Sequence, residues 1–282
     1  MIYDAIIIGK GPAGISTAIY MKRYGYSPVI LAKDGGALER VKEIENYYGI
    51  PSISGKELIE LGVQQAKHLD IPIFDEEVIE ITKETHFKVI TNLHSYDAKT
   101  VVLACGTSRN RFTKADSFEG VSYCATCDGF FYRKKKVALI GSGAYMAHEL
   151  SVLENICKDI IVFTNGKPLE TKISSDITVI TEPIVEVLGN THIEGIKTTK
   201  ETYPIEGCFI AIGNASGFTL AKHLGMELKG NSIVVNPEMR TNIEGLYACG
   251  DAVGGLLQVS KAVGEGAVCA TSIVNYLKEH KN

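Results

Sequence analysis

Long apolar runs are missing from this 282-residue chain, and no stretch approaches the ~20 residues that a membrane span needs. No sign of charge dominates either. Lys and Arg number 29 against 33 Asp and Glu, a formal charge of −4, which gives no reason to expect nucleic acid. No basic start or cleavage site precedes the strand-like Tyr3-Asp4-Ala5-Ile6-Ile7-Ile8-Gly9, so a cytoplasmic protein without a secretion signal is expected. Seven cysteines over this length do not make the short, cysteine-dense framework of a secreted domain. Cys105, Cys157, Cys208, Cys249 and Cys269 lie in apolar or small-residue segments and read as buried and inert. What remains is a chain 45% hydrophobic and 22% charged, a soluble globular composition with length for about two domains of ~150 residues.

Only Cys124 and Cys127 have a spacing that suggests chemistry. In Cys124-Ala125-Thr126-Cys127-Asp128-Gly129 two thiols three positions apart can hold a disulfide or a dithiol. Exchange needs one accessible thiolate to attack and a second to resolve the mixed disulfide. Asp128, next to Cys127, is placed to move protons to and from a sulfur. Two other readings stand beside this one, half a zinc site and a pair of small buried hydrophobes. Zinc would want a second ligand pair, and the chain has no other CxxC and no HxxxH.

The N-terminus supplies the context for redox work. The apolar run 2–8 has the pattern of a strand buried on both faces of a parallel sheet. Gly9-Lys10-Gly11-Pro12-Ala13-Gly14 follows, then a helical pattern from Ile15 to Met21 that Gly25 ends, then a second strand at Val29-Ile30-Leu31-Ala32. This is the strand–turn–helix fingerprint of dinucleotide binding, where glycines allow a tight turn and close approach of a pyrophosphate to a helix N-terminus. Lys33-Asp34 stands where a ribose-binding acid is expected. Glu45-Asn46 reads as a buried polar pair in backbone wrapped around a ligand, the plainer alternative being a surface loop. Ser54-Gly55-Lys56-Glu57 reads as a capping box opening a helix to about His68. Residues 107–120 read as a linker. Val137-Ala138-Leu139-Ile140-Gly141-Ser142-Gly143 repeats the strand-then-glycine pattern weakly. Near the C-terminus an apolar strand enters Cys249-Gly250-Asp251 before a helix from about Gln258 to Leu277. There Gly250 lets backbone approach a cofactor, and Asp251 accepts from ribityl hydroxyls, lies near a phosphate, or simply caps the helix.

In the order and separation of these landmarks the chain resembles the low-molecular-weight thioredoxin reductase family over essentially its whole length. The matching residues are Gly9-x-Gly11-x-x-Gly14, Glu45-Asn46, the CATCDG segment, Ile212-Gly213 and Ala248-Cys249-Gly250-Asp251-Ala252. The resemblance implies an α/β fold of two nucleotide-binding, Rossmann-like domains: a discontinuous FAD domain (1–113 and 237–282) and an inserted redox domain (114–236). It implies that Cys127 lies against the flavin, that Cys124 attacks the disulfide of a thioredoxin, and that Asp128 is the acid/base. The expected FAD contacts are Gly9, Gly11, Pro12, Ala13, Gly14, Lys33, Gly36, Ala37, Asn46, Val78, Ala104, Gly106, Gly250, Asp251, Gln258 and Val259. No metal is expected, and a homodimer is.

The family pattern breaks in the inserted domain, which also looks shortened. Its fingerprint reads Gly141-Ser142-Gly143-Ala144-Tyr145-Met146, with bulky Met146 where a small residue lets helix and strand pack closely. Overpacking of this kind typically costs ~1–3 kcal/mol. The strand Ile160-Ile161-Val162-Phe163 is followed by Thr164-Asn165-Gly166-Lys167, which offers a 2′-phosphate one lysine at most. Both defects argue against NADPH. The resemblance contains a branch that takes electrons from ferredoxin, and Arg133-Lys134-Lys135-Lys136 could steer an acidic donor of that kind, or be no more than a solvated turn. The expectation is therefore a ferredoxin-dependent, FAD-containing thioredoxin reductase. NADPH-dependent reductase, oxygen-using dithiol oxidase and non-enzymatic redox sensor are the alternatives.

Overall fold

The computed structural model describes residues 1–106, 112–115, 117–213 and 217–280. Residues 107–111 and 116 of the expected linker lie outside them. Along the chain, β1 (Ile2–Ile8), α1 (Pro12–Arg23) and β2 (Pro28–Leu31) come first, followed by α2 (Gly55–His68), β3 (Ile73–Phe74), β4 (Val78–Lys83), β5 (Phe87–Thr91) and β6 (Ser95–Leu103). Next are β7 (Val121–Ser122), the one-turn helix α3 (Ala125–Asp128), β8 (Lys136–Ile140), α4 (Ala144–Glu154), β9 (Asp159–Phe163), β10 (Thr178–Ile180), β11 (Ile184–Gly189), β12 (Ile193–Thr198), β13 (Thr202–Pro204) and β14 (Gly207–Ile210). The chain ends with α5 (Gly217–His223), β15 (Leu228–Lys229), β16 (Ser232–Ile233), β17 (Leu246–Ala248) and α6 (Val259–Glu279). Two compact units result, Met1–Ser108 with Ser216–Asn282, and Arg109–Ala215. No described helix is long and apolar enough to cross a membrane.

The first unit is built on a sheet in the order β3-β2-β1-β6-β5-β4. β2, β1 and β6 are parallel, as expected of strands covered on both faces, and Ala5 to Ile8 are buried. β6 is long enough for two partners on one side. Residues Ser95 to Ala98 pair antiparallel with β5, while Val101 to Leu103 pair parallel with β17. The C-terminal segment therefore completes the N-terminal sheet. α6 lies on α1 so closely that a Cβ on Gly266 would collide with the Ala13 carbonyl oxygen, and Ser16 Oγ donates to the Val263 carbonyl at 2.8 Å. Ser54 caps α2 with the reciprocal Ser54–Glu57 pair expected from sequence.

The second unit repeats that plan. Its sheet runs β10-β9-β8-β14-β7, parallel throughout, with a separate antiparallel sheet β11-β12-β13. The equivalence extends to single backbone bonds. Ala104 N–H donates to Ile8 and Ala211 N–H to Ile140, at 2.9 and 2.8 Å; Gly9 N–H donates to Leu31 and Gly141 N–H to Phe163, at 2.9 and 3.0 Å. The internal repeat that reads weakly in sequence is thus explicit in register.

Candidate functional site

The first glycine turn is shaped by what surrounds its backbone. Gly9 has φ of +115°, and a Cβ there would collide with the Ala104 carbonyl oxygen. A Cβ on Gly14 would strike the Gly9 carbonyl oxygen, so the third glycine sets the close seat of α1 on β1. Gly11 differs from both: a Cβ there would meet nothing within 4 Å. α1 opens with Pro12 in its first turn, no side-chain cap and no acidic residue, so its first amides and its positive dipole end are left for an anion. Space at Gly11 and an uncapped helix start suit the pyrophosphate of a dinucleotide such as FAD.

Among the other expected cofactor residues, Gly250 and Ala104 lie against this turn. Gly250, with φ of +73°, comes so close that its Cβ would lie 2.8 Å from that of Ala13. Ala104 and Gly106 follow β6 directly, and Val78 is buried at the start of β4. Gly36 and Ala37 sit exposed on a 3₁₀ turn, Gly36–Arg40, where Gly36 N–H donates to Asp34 Oδ1 at 2.9 Å. Asn46 Nδ2 donates to Gln258 Oε1 at 2.9 Å, joining positions 212 apart. Gln258 stands at the N-cap position of α6 without a side-chain capping bond, and Val259 is the first residue of the helix. Lys33 pairs with buried Glu77 at 2.9 Å.

Two sequence expectations are corrected here. Glu45 and Asn46 are exposed: the Ile44–Ile53 bridge buries Ile44 but leaves the two polar residues after it at the surface, Asn46 reaching Gln258 from there. Asp251 does not cap the long helix: it lies in a 3₁₀ turn, Gly250–Val253, seven positions before Gln258. Two residues without a sequence signal brace that turn. Glu265 Oε2 accepts from Gly250 N–H at 2.8 Å, and Lys261 Nζ donates to the carbonyls of Gly250 and Gly254 at 2.9 and 2.6 Å. Burial holds the Asp251 carboxyl above the usual range, with Lys261 pulling it down and Glu265 pushing it up.

In the second unit Cys124 and Cys127 are joined as a disulfide with Cα atoms 5.3 Å apart. Cys124 is the N-cap of α3, and its sulfur accepts from Cys127 N–H at 3.0 Å. Ser122 organises the other side. Its Oγ donates to Asp128 Oδ2 at 2.6 Å and accepts from Cys124 N–H at 3.1 Å, so one hydroxyl links the carboxylate to the backbone of the buried sulfur. Two buried groups of α4 also grip this turn, though no motif marks them. Tyr145 Oη donates to the Tyr123 carbonyl at 3.1 Å, and Glu149 Oε2 accepts from Ala125 N–H at 2.6 Å. Just beyond the disulfide, Phe130 and Phe131 are 69% and 71% exposed, too much apolar surface for packing to explain. Arg133 and Lys134 beside them are exposed, whereas Lys135 lies over the Tyr132 ring and Lys136 pairs with Asp159 at 3.2 Å.

Four of the other cysteines are poor nucleophiles. Desolvation pushes the Cys105 thiol up to about 12 and raises those of Cys157, Cys208 and Cys269. Cys208, Cys249 and Cys269 are buried as expected, but Cys105 and Cys157 are only half-buried.

The second glycine turn is filled. Met146 is fully buried among Val137, Leu139 and Leu150, and its Cβ would lie 2.8 Å from a Cβ on Gly141. Across the turn, Glu170 N–H donates to the Ser142 carbonyl at 2.8 Å, and Glu170 Oε2 would lie 3.3 Å from a Cβ on Gly143. A carboxylate thus stands at the glycine that opens α4, where a dinucleotide would bring its own negative charge.

Comparison with known proteins agrees with this architecture. A family model described as pyridine nucleotide-disulphide oxidoreductase matches residues 3–266. The thioredoxin reductase of Ureaplasma parvum serovar 3 is 32% identical over 302 residues, covering 98% of this chain and 97% of its own. Among solved structures, the atypical thioredoxin reductase TRi from Desulfovibrio vulgaris Hildenborough matches with a TM-score of 0.88 at 33% identity, over 99% of each chain. A ferredoxin-flavin thioredoxin reductase from Clostridium acetobutylicum matches with a TM-score of 0.72 at 30% identity, over 98% of each chain.

Proposed function

The chain belongs to the pyridine nucleotide-disulphide oxidoreductase family and is a flavin-dependent disulfide oxidoreductase of thioredoxin reductase type; from that premise we propose that FAD is its flavin and reduced ferredoxin its electron donor. The observation that supports the donor assignment is the second glycine turn, where Met146 is buried beneath the turn and the carboxylate of Glu170 stands near Gly143, the position that is open at Gly11 in the first turn. Repulsion between Glu170 and a pyrophosphate adds to the scarcity of cations after β9, where Lys167 alone would face a 2′-phosphate, so NADPH would meet negative charge with little compensation. The exposed pair Arg133 and Lys134 supports docking of an acidic protein donor. The similarity to the Clostridium acetobutylicum protein points the same way. A homodimer is the assembly the family resemblance implies.

When bound, the flavin supplies the two electrons that reduce the disulfide; the chain supplies the rest. Its first turn binds the pyrophosphate through Gly11, Ala13 and Gly14 at the start of α1, and Gly250 closes on Ala13. The resemblance assigns attack on the disulfide of thioredoxin to Cys124 and resolution of the mixed disulfide to Cys127; Cys124 is fully buried in the oxidised pair, so it must become accessible before it can attack. Asp128, oriented by Ser122, moves the proton at sulfur. Phe130 and Phe131 offer the apolar surface on which a protein substrate can settle.

Anaerobic stopped-flow with purified holoenzyme tests the donor. Reduced ferredoxin should bleach the flavin and turn over with thioredoxin, while NADPH at micromolar concentration should not; rapid bleaching by NADPH overturns the assignment. Asp128→Asn should slow thioredoxin reduction ~10²–10⁴-fold, and an unchanged rate would remove Asp128 from the chemistry.

A further inference from the structure

Glu149 is a carboxylate where packing does not ask for one. It lies on the buried face of α4, 1% exposed, between Tyr145 and Leu153, with Met146 and Leu150 beside it. Taking a carboxylate out of water is expensive unless it holds a hydrogen bond that matters, and a leucine or glutamine would serve a helix–sheet contact at lower cost. Glu149 Oε2 accepts from the backbone N–H of Ala125, the residue that follows Cys124. One turn earlier on the same helix, Tyr145 Oη donates to the carbonyl of Tyr123, the residue that precedes it. The two side chains bracket Cys124, and one of them is a carboxyl, which carries a charge when ionised.

We propose that Glu149 is a positioning residue of the redox pair: through the Ala125 amide it fixes the turn that carries Cys124, and its negative charge makes the Cys124–Cys127 dithiol a stronger reductant. The physical argument concerns charge. Reduction breaks the S–S bond, takes up two electrons and leaves two sulfurs that are protonated or anionic. A buried carboxylate one residue from Cys124 raises the energy of a thiolate there more than that of the neutral disulfide, because the low-polarity surroundings screen the repulsion weakly. The disulfide side of the equilibrium is thereby favoured, and the dithiol gives up its electrons more readily. This inference rests on the disulfide chemistry alone and is indifferent to which donor reduces the flavin.

The test is an equilibrium measurement on the holoenzyme in buffers of reduced and oxidised dithiothreitol, with Cys124 and Cys127 trapped by alkylation and counted by mass spectrometry. In this exchange reduced dithiothreitol gives two electrons and two protons to the pair and closes to its own cyclic disulfide. Glu149→Gln keeps the acceptor oxygen and removes the charge. It should move the equilibrium constant about tenfold toward the dithiol while the thermal midpoint stays near that of the wild type. A constant within twofold of wild type, or a shift toward the disulfide, overturns the proposal and leaves Glu149 a structural brace. Should Glu149→Gln fail to fold, Glu149→Asp decides, since it keeps the charge and gives up the reach to Ala125. There an equilibrium constant within twofold of wild type supports the role of charge, and a tenfold shift overturns it.

Discussion

The two glycine turns of this chain share a frame and differ in what fills it. In each, a strand enters the turn, a Cβ on the first glycine would collide with the carbonyl of the alanine that follows a neighbouring strand (Ala104 or Ala211), and the same backbone bonds hold the flanking strands. They part at two positions. Where the first turn has Gly14 beneath it, the second has Met146 in its core; where the first leaves open space at Gly11, the second has Glu170 at Gly143. In the proposed reading a shared frame is not by itself a binding site: what decides is the side-chain volume at the third position and the sign of the nearest charge at the second.

That contrast can be broken by exchanging its terms. The largest effect is expected from Gly14→Leu, which gives the first turn the bulk of the second. Its Cβ would collide with the Gly9 carbonyl, so soluble yield should collapse and any protein recovered should lack flavin absorbance. Well-folded yellow protein would show that the close seat of α1 is dispensable. Gly11→Val should act on the ligand alone, because nothing lies within 4 Å of that Cβ. Circular dichroism should match wild type while flavin content falls at least tenfold, and full flavin occupancy would move the pyrophosphate away from Gly11. The smallest effect is expected in the second turn, where Met146→Ala removes buried side-chain atoms without opening the far side held by Glu170. It should destabilise that unit by ~2–5 kcal/mol in urea titration and still give no flavin reduction by NADPH. Reduction by NADPH in that variant would make bulk the whole of the barrier.

The same contrast explains what could be read without coordinates. The first fingerprint, the Ser54–Glu57 box and the CxxC were legible because local spacing fixes each of them. Met146 was legible as an intruder, since the position beneath a glycine turn has one small set of tolerated volumes. Glu170 was not, because it reaches the turn from a loop with no spacing rule to place it. Glu149, Lys261 and Glu265 look like ordinary helix charges, and only the packing of α4 and α6 shows that each meets a particular backbone group. The error at Glu45-Asn46 has the opposite cause, a polar pair credited with burial that its loop does not provide.

The double pairing of β6 bears on how the molecule is made. A ribosome delivers β17 and α6 only after every residue of the second unit has emerged, so the Val101–Leu103 end of β6 waits without its β17 partner until then. Gly250, which closes on Ala13, arrives later still. The contact between Gly250 and Ala13 in the proposed flavin cradle thus forms only after the second unit has been made, and a nascent chain can complete its Cys124–Cys127 turn well before that contact exists.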